Sequence, residues 1–278
     1  MRSDLAAFAA VFLWGSLAAL AVGLSSIPPL LMTGIGLMVG SLIALPVSGF
    51  QLKKIIPGPK ILLVGVYGLF GYHAALFAGL QNAPSIQANL VNYLWPVLIV
   101  LLAPLVVGGQ KLGLRHIAAS AIGFSGAAVA ILSGSQLVSG FASGYLFAFI
   151  AALIFSSYSL LIKRFSGSPT SAVGGYSFVG GALAILAHFV FEQQVHITAD
   201  QWLWLIVLGL GPLGGSFYLW DYALKHGPAQ RVGTIAFLTP VISTTLLVLA
   251  SGEQLSLSIG LAALLIVVAA VLGSKVNN

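Results

Sequence analysis

Apolar residues run almost without interruption along this chain, and clusters of Gly, Pro, Ser and charged residues cut them into lengths suited to helices. With those clusters as punctuation, ten stretches emerge, at about 5–24, 29–48, 60–81, 86–107, 113–133, 143–164, 170–191, 201–224, 229–250 and 256–274. A bilayer-crossing helix needs roughly 20 predominantly apolar residues. The pattern therefore predicts an all-α integral membrane protein of ten transmembrane helices with short connections. The apolar run that starts at Leu5 is too long for a cleaved signal peptide, and is expected to stay as the first helix.

One stretch breaks the apolar pattern. Asn89, Asn92, Tyr93 and Pro96 are spaced i, i+3, i+4 and i+7, which on a helix makes a single polar stripe. The same neighbourhood recurs 144 residues on. Gly71 pairs with Gly215, Leu80 with Leu224, Pro84 with Pro228, Leu94 with Leu238, Pro96 with Pro240 and Val97 with Val241, without a gap. Five spans separate the copies, an odd number, so the halves are expected to be inverted: a first five-helix repeat at 1–138 and a second at 139–278. Inverted repeats around a midplane site are a recurring plan of secondary transporters.

Charge supports a particular orientation. With the N-terminus inside, the inner segments hold Arg2; Lys53, Lys54 and Lys60; Lys111 and Arg115; Lys163 and Arg164; Lys225 and Arg231; and Lys275, which together are all 11 cations. The positive-inside rule then puts both termini in the cytoplasm. Lys225 and Arg231 occupy the repeat positions of Gln81 and Gln87, which face the other side. The formal charge of +6 thus reflects membrane insertion rather than nucleic-acid binding, and a charged fraction of 6% is far below that of soluble domains, roughly a quarter. With no cysteine there is neither a disulfide framework nor a thiolate site.

Several residues carry candidate chemistry. Pro96 has no N–H, so the carbonyl of Asn92 loses its helical partner, and Pro240 does the same to Ala236. Such carbonyls serve either as hydrogen-bond acceptors for an ammonium group or merely as features of packing kinks. Asn89 and Asn92 bind substrate or join helices. His73 is a functional candidate by its place in a membrane helix, or a neutral, hydrogen-bonded structural group. Gly71, Ala75 and Gly79 form a ridge for close helix contact, and Gly211, Gly214 and Gly215 mark its partner span. Trp202 and Trp204 suit a membrane interface, whereas Trp14, Tyr72, Tyr93, Trp95, Tyr158, Tyr218 and Trp220 lie deeper. Asp4, Glu192, Asp200 and Glu253 belong to ends or loops, as do His116, His188, His196 and His226. Asp221 has the spacing of a helical ion pair with Lys225. No carboxylate lies at the midplane, which favours a uniporter or exchanger unless His73 carries protons. Motifs of metalloproteases and P-loop enzymes are missing, and no enzyme activity, metal or cofactor is expected.

Ten helices in two inverted halves, with Phe12-Leu13-Trp14-Gly15-Ser16 in the first span and the Pro84/Pro96 and Pro228/Pro240 pairs, resemble the EamA-type members of the drug/metabolite transporter superfamily. Gly252-Glu253 looks like the family's Gly-Glu; its first-half counterpart, Gly109-Gln110, departs from it. Tyr72-His73 and the run from Asn89 to Pro96 are similar to the YddG-type aromatic amino acid exporters. The resemblance implies a bacterial inner membrane, alternating access and amino acid export.

The expected site is a central cavity between the repeats. Trp14, Tyr72, Tyr93, Trp95, Tyr158, Tyr218 and Trp220 would form its walls, and Asn89, Asn92, His73 and carbonyls near Pro96 and Pro240 its polar contacts. Gly71 and Gly215 would let helices slide. The expected partners are an amino acid and the lipid bilayer, with no nucleic acid, and a monomer is compatible with this plan. The alternative is export of aromatic cations, drugs or other small metabolites.

Overall fold

A computed structural model of the protein describes residues 2–21, 24, 26–83, 85–108, 112–132, 142–251 and 257–274. Pro84, Gly109-Gln110, Lys111, Gly252-Glu253 and Lys275, named above, lie outside the described residues. Those described form helices and no strand. Lipid offers no partner to a bare peptide group, so a helix that satisfies its own backbone is the form these apolar runs must take.

In chain order the helices are α1 (Arg2–Ala21), α2 (Pro29–Ser41), α3 (Ala44–Val47), α4 (Leu52–Ile55), α5 (Pro59–Val66), α6 (Tyr72–Gln81), α7 (Ser85–Asn92) and α8 (Trp95–Val106). They continue with α9 (Leu114–Leu132), α10 (Gly144–Arg164), α11 (Ala172–Phe191), α12 (Ala199–Leu210), α13 (Gly215–His226), α14 (Ala229–Ile235), α15 (Leu238–Ser251) and α16 (Leu257–Ser274). Among the described residues five stretches are long and apolar enough to cross a membrane: Pro29–Val47, Pro59–Gln81, Gly144–Arg164, Ala172–Phe191 and Ala199–His226. The protein is a multi-pass membrane protein.

Five stretches that the sequence predicts as single helices are interrupted, the first at Leu42-Ile43 between α2 and α3. A π-helical turn, Tyr67–Gly71, separates α5 from α6. At Tyr93-Leu94 the chain leaves α7, with Leu94 N–H reaching Val91 O at 3.1 Å, and restarts as α8 with Pro96 in its first turn. A proline costs little there, because the first N–H groups of a helix have no intrahelical partner. The expected kink is therefore a break. The second copy breaks at Ala236-Phe237, between α14 and α15. A further break, not expected, spans Gly211 to Gly214 and contains Pro212.

Two helices stand at the centre. α1 packs against α13 and α15, and α10 against α6 and α8; α2 lies on α11, and α9 on α16. Lipid is as apolar as the side chains, so close backbone approach and hydrogen bonds hold these helices together. Gly40 of α2 meets Gly214 so closely that a Cβ on either would overlap the other's Cα. Gly15 of α1 is packed against Ile242 of α15, with only 2.5 Å between a built Cβ and Cγ2.

Charged groups gather at one end. Arg231 Nε is 3.0 Å from Asp4 Oδ1, joining α14 to α1. Lys225 Nζ is 2.9 Å from Asp221 Oδ1, the ion pair expected from spacing, and also donates to Ser168 O at 3.0 Å. Thr170 Oγ1 donates to Asp221 Oδ2 at 2.7 Å, and Lys163 Nζ donates to Leu224 O at 2.8 Å. Ser171 Oγ donates to Lys54 O at 2.8 Å, so α4 belongs to the same end. At the opposite ends of these helices the ties are different. Glu192 accepts from Leu30 N–H at 2.8 Å and Leu31 N–H at 3.2 Å, capping α2, and also contacts His188 Nδ1 at 2.9 Å.

Candidate functional site

The break between α7 and α8 carries the polar stripe into the bundle. Asn89 and Asn92 sit in α7, Tyr93 in the break and Trp95 at the start of α8. All four line a cavity of about 320 Å³, together with Trp14 from α1 and Tyr72 and His73 from α6. Seven of the residues singled out in the sequence thus meet at one space. The rest of the wall comes from Leu17, Met32, Leu76, Phe77, Phe155, Leu213, Phe217, Thr239 and Ser243. Trp14 lies 12 residues beyond Arg2, or about 18 Å along a helix. The cavity therefore occupies the half of the bundle away from the charged end.

Aromatic rings form its floor. The Trp14 centroid is 6.0 Å from Trp95, 5.6 Å from Phe155 and 5.8 Å from Phe217, all edge to face. Trp95 meets Phe155 at 4.8 Å, and Tyr72 meets Phe155 at 4.9 Å. Edge-to-face contacts of this kind leave some ring faces and edges free to accept a further flat group.

The polar groups are few. Asn92 is 3% exposed; its Nδ2 donates to Tyr72 Oη at 3.3 Å, while its Oδ1 is buried with no hydrogen-bond partner. A buried carbonyl oxygen in that condition is uncommon and costs desolvation energy until a donor arrives. His73 Nδ1 is 2.6 Å from Leu69 O in the π-helical turn. A carbonyl only accepts, so Nδ1 carries a proton and, in the neutral ring, Nε2 is left as an acceptor. That bond stays within one helical stretch rather than crossing to a neighbour. Among the described residues no Asp, Glu, Lys or Arg lines the cavity.

Three expected wall residues stand elsewhere. Trp220 is fully buried behind the floor, 5.1 Å from Trp14 between centroids, with Nε1 donating to Ser159 Oγ at 3.1 Å. Tyr158 shares a 3.2 Å contact with Tyr176 between their hydroxyls, toward the charged end. Tyr218 Oη donates to Gly40 O at 3.0 Å and so ties α13 to α2. For Tyr158 and Trp220 the reason is depth: Phe155 and Phe217 lie one turn earlier on the same helix face, and it is they that reach the cavity. Tyr218 follows Phe217 by one residue, about 100° around the helix, and faces α2 instead. Phenylalanine's ordinary place in a membrane protein is lipid contact, so only the i−3 spacing from a deep aromatic pointed to these two.

Of the four kink and gating candidates, Pro96 is buried at the start of α8. Pro240 does not leave the Ala236 carbonyl free: Thr239 covers it with its N–H at 3.1 Å and its Oγ1 at 2.8 Å. The expected acceptor is thus replaced at the cavity by Thr239. Gly71 ends the π-helical turn, where a Cβ would have ordinary contacts at 3.9 Å. At Gly215 a Cβ would strike Leu210 O. Trp202 and Trp204 are exposed at 45% and 43% on α12.

Helices long and apolar enough to cross a membrane, packed around an aromatic cavity, suit a membrane transporter. The chain belongs to the EamA-like transporter family, whose model matches residues 1–132 and 142–274. It is 34% identical over 271 residues to a protein of Ancylobacter novellus named aromatic amino acid exporter YddG, covering 95% of this chain and 94% of that one. A Salmonella typhimurium protein of the same name is 23% identical over 98% of this chain and 96% of its own. A solved crystal structure at 34% identity superposes with a TM-score of 0.92 over 98% of this chain and 95% of that one.

Proposed function

We propose that the protein exports neutral amino acids, those with aromatic side chains foremost, across a bacterial inner membrane by alternating access. The observation that carries this reading is Asn92 Oδ1, a buried acceptor without a donor in an uncharged cavity walled by Trp14, Trp95, Phe155 and Phe217. An α-ammonium group supplies that donor, and an aromatic side chain fills the floor. His73 Nε2, Thr239 and Ser243 lie along the remaining wall. A zwitterion has no net charge, which suits a site without a counter-ion, since an unpaired charge in low dielectric is costly. An aromatic cation would find ring faces but no carboxylate. The names of the relatives support the same substrate class.

Two inverted five-helix repeats, 1–138 and 139–278, are part of this proposal. Helix contacts come in pairs related by the 144-residue shift, which supports it: α1 on α13 matches α10 on α6, and α1 on α15 matches α10 on α8. With the charged end cytoplasmic, as the positive-inside rule directs, the cavity belongs to an outward-facing state. Inward opening then separates α13 from the α10–α11 connection.

The test is uptake of radiolabelled phenylalanine into proteoliposomes preloaded with unlabelled phenylalanine, first without and then with a proton gradient. Saturable exchange without a gradient is expected. Asn92→Leu should lower kcat/KM by about ten- to a hundredfold, the worth of a hydrogen bond to a charged group. Unchanged exchange by folded Asn92→Leu protein would overturn the site, and no phenylalanine exchange by the unmodified protein would overturn the substrate.

A further inference from the structure

A second concavity lies at the charged end, separate from the aromatic cavity. Between α2 and α5 the chain folds as α3, a bend at Ser48–Gln51, α4 and the turn Ile56–Gly58. Leu42, Leu45, Leu52, Ile55 and Ile56 from this segment face Phe178 and Val179 of α11 across a groove of about 380 Å³ with almost no polar wall. The groove is built, not incidental. Gly175 packs against Pro57, and Ser171 Oγ holds Lys54 O, so α4 is fixed to α11. Phe50 has φ +60, the one positive φ at a non-glycine among the described residues. Its N–H is held by Leu45 O at 2.8 Å, and Phe50, like Ile56, is 73% exposed. A left-handed backbone at a bulky residue carries strain, kept here to turn an aromatic ring outward.

Cations flank this groove on the segment that forms one of its walls, on helix faces turned away from the groove itself. Lys53 and Lys54 lie on α4 between two groove-lining residues, Leu52 and Ile55, and Lys60 is in the first turn of α5; all three are exposed. The corresponding connection 144 residues on runs from Glu192 to Trp204 and contains no Lys or Arg. Only one copy thus couples an apolar groove with cations. A single free anion would use the lysines but leave the groove empty, and a neutral lipid would do the reverse.

We infer that this groove binds one anionic glycerophospholipid from the leaflet at the charged end, an acyl chain lying between α3–α4 and α11 and the phosphate meeting Lys53, Lys54 and Lys60. Cationic clusters beside membrane helices recognise anionic headgroups in this way. Phe50, Leu52 and Ile56 enter the surrounding acyl region and hold the segment at the interface. The assignment does not depend on what the aromatic cavity transports.

The experiment is native mass spectrometry and thermal melting of the full-length protein in detergent, with dioleoylphosphatidylglycerol, dioleoylphosphatidylcholine or inorganic phosphate added. Phosphatidylglycerol should be retained as a single adduct and raise the melting temperature, and the other two should do neither. Lys53→Gln/Lys54→Gln/Lys60→Gln should weaken its retention by about tenfold or more, and Val179→Trp should do so by filling the groove with all three cations intact. Equal retention of phosphatidylcholine, the same stabilisation by phosphate alone, or undiminished retention by the triple variant would each overturn the proposal. The comparison of the three additives on the unmodified protein stands even where a variant fails to fold.

Discussion

Around the cavity, Asn92 has a buried oxygen with no donor, and among the described residues no lining side chain carries a formal charge. At the charged end, Asp221 is equally buried yet uses both oxygens, one toward Lys225 and one accepting from Thr170. Lys225 and Lys163 likewise reach backbone carbonyls of neighbouring segments. Both regions hide polar atoms from lipid. The charged end ties neighbouring segments together through these pairs, although Gln230 Nε2 there is buried without a partner; the cavity wall keeps an acceptor open where a ligand can reach it. What sets Asn92 apart from the other buried atoms without a partner, such as those of Thr33, Ser120 and Ser177, is that it lines a cavity a ligand can enter.

Substitutions that interchange the two behaviours test this contrast. The largest effect is expected from Asp221→Ala, which leaves Lys225 buried without its counter-ion. Removing one partner of a buried pair costs about 3–5 kcal/mol, so the detergent melting temperature should fall sharply, and Asp221→Ala/Lys225→Met should recover much of it. Asn92→Leu should behave oppositely: melting unchanged or raised, because an unpaired acceptor is gone, with kcat/KM for phenylalanine lowered by about ten- to a hundredfold. A large stability loss in Asn92→Leu would mean that Asn92 serves packing rather than binding. Tyr72→Phe removes the hydroxyl that accepts from Asn92 Nδ2. About 1 kcal/mol of positioning, or roughly fivefold in the KM for phenylalanine, should follow, with kcat little altered. The smallest effect belongs to Arg231→Gln. Its pair with Asp4 is partly solvated, at 39% and 22% side-chain exposure, and such pairs are worth about 0–1 kcal/mol. A melting shift as large as that of Asp221→Ala would make this pair part of the lock.

The polar stripe was readable in the chain because Asn in an apolar helix is conspicuous, and its spacing identifies one face. Trp14, Tyr72 and His73 were readable for a similar reason: each is an unusual residue deep in its span. Phe155 and Phe217 were not, because phenylalanine is equally suited to lipid and to a cavity floor. Tyr218 was expected on the wall because rotation about the helix axis is legible in sequence only when a polar face betrays it, and Tyr158 and Trp220 share the face of Phe155 and Phe217 but miss the cavity by one turn of depth. The Ala236 carbonyl illustrates a further gap. Proline removes its N–H partner, as the sequence implies, but Thr239 replaces that partner locally.

Sequence by itself determined the helical class, the membrane setting, the approximate extent of the apolar stretches and the expected Asp221–Lys225 pair. Those follow from local quantities, namely hydrophobic length, backbone self-satisfaction and i,i+4 spacing. Tertiary structure decided that Pro96 begins a new helix rather than bending one, which aromatic residues reach the cavity, and that an apolar groove lies beside Lys53 and Lys54. Those depend on how helices are rotated and paired. In lipid, contacts as close as that of Gly40 with Gly214 set rotation and pairing, and no property of either segment alone contains them.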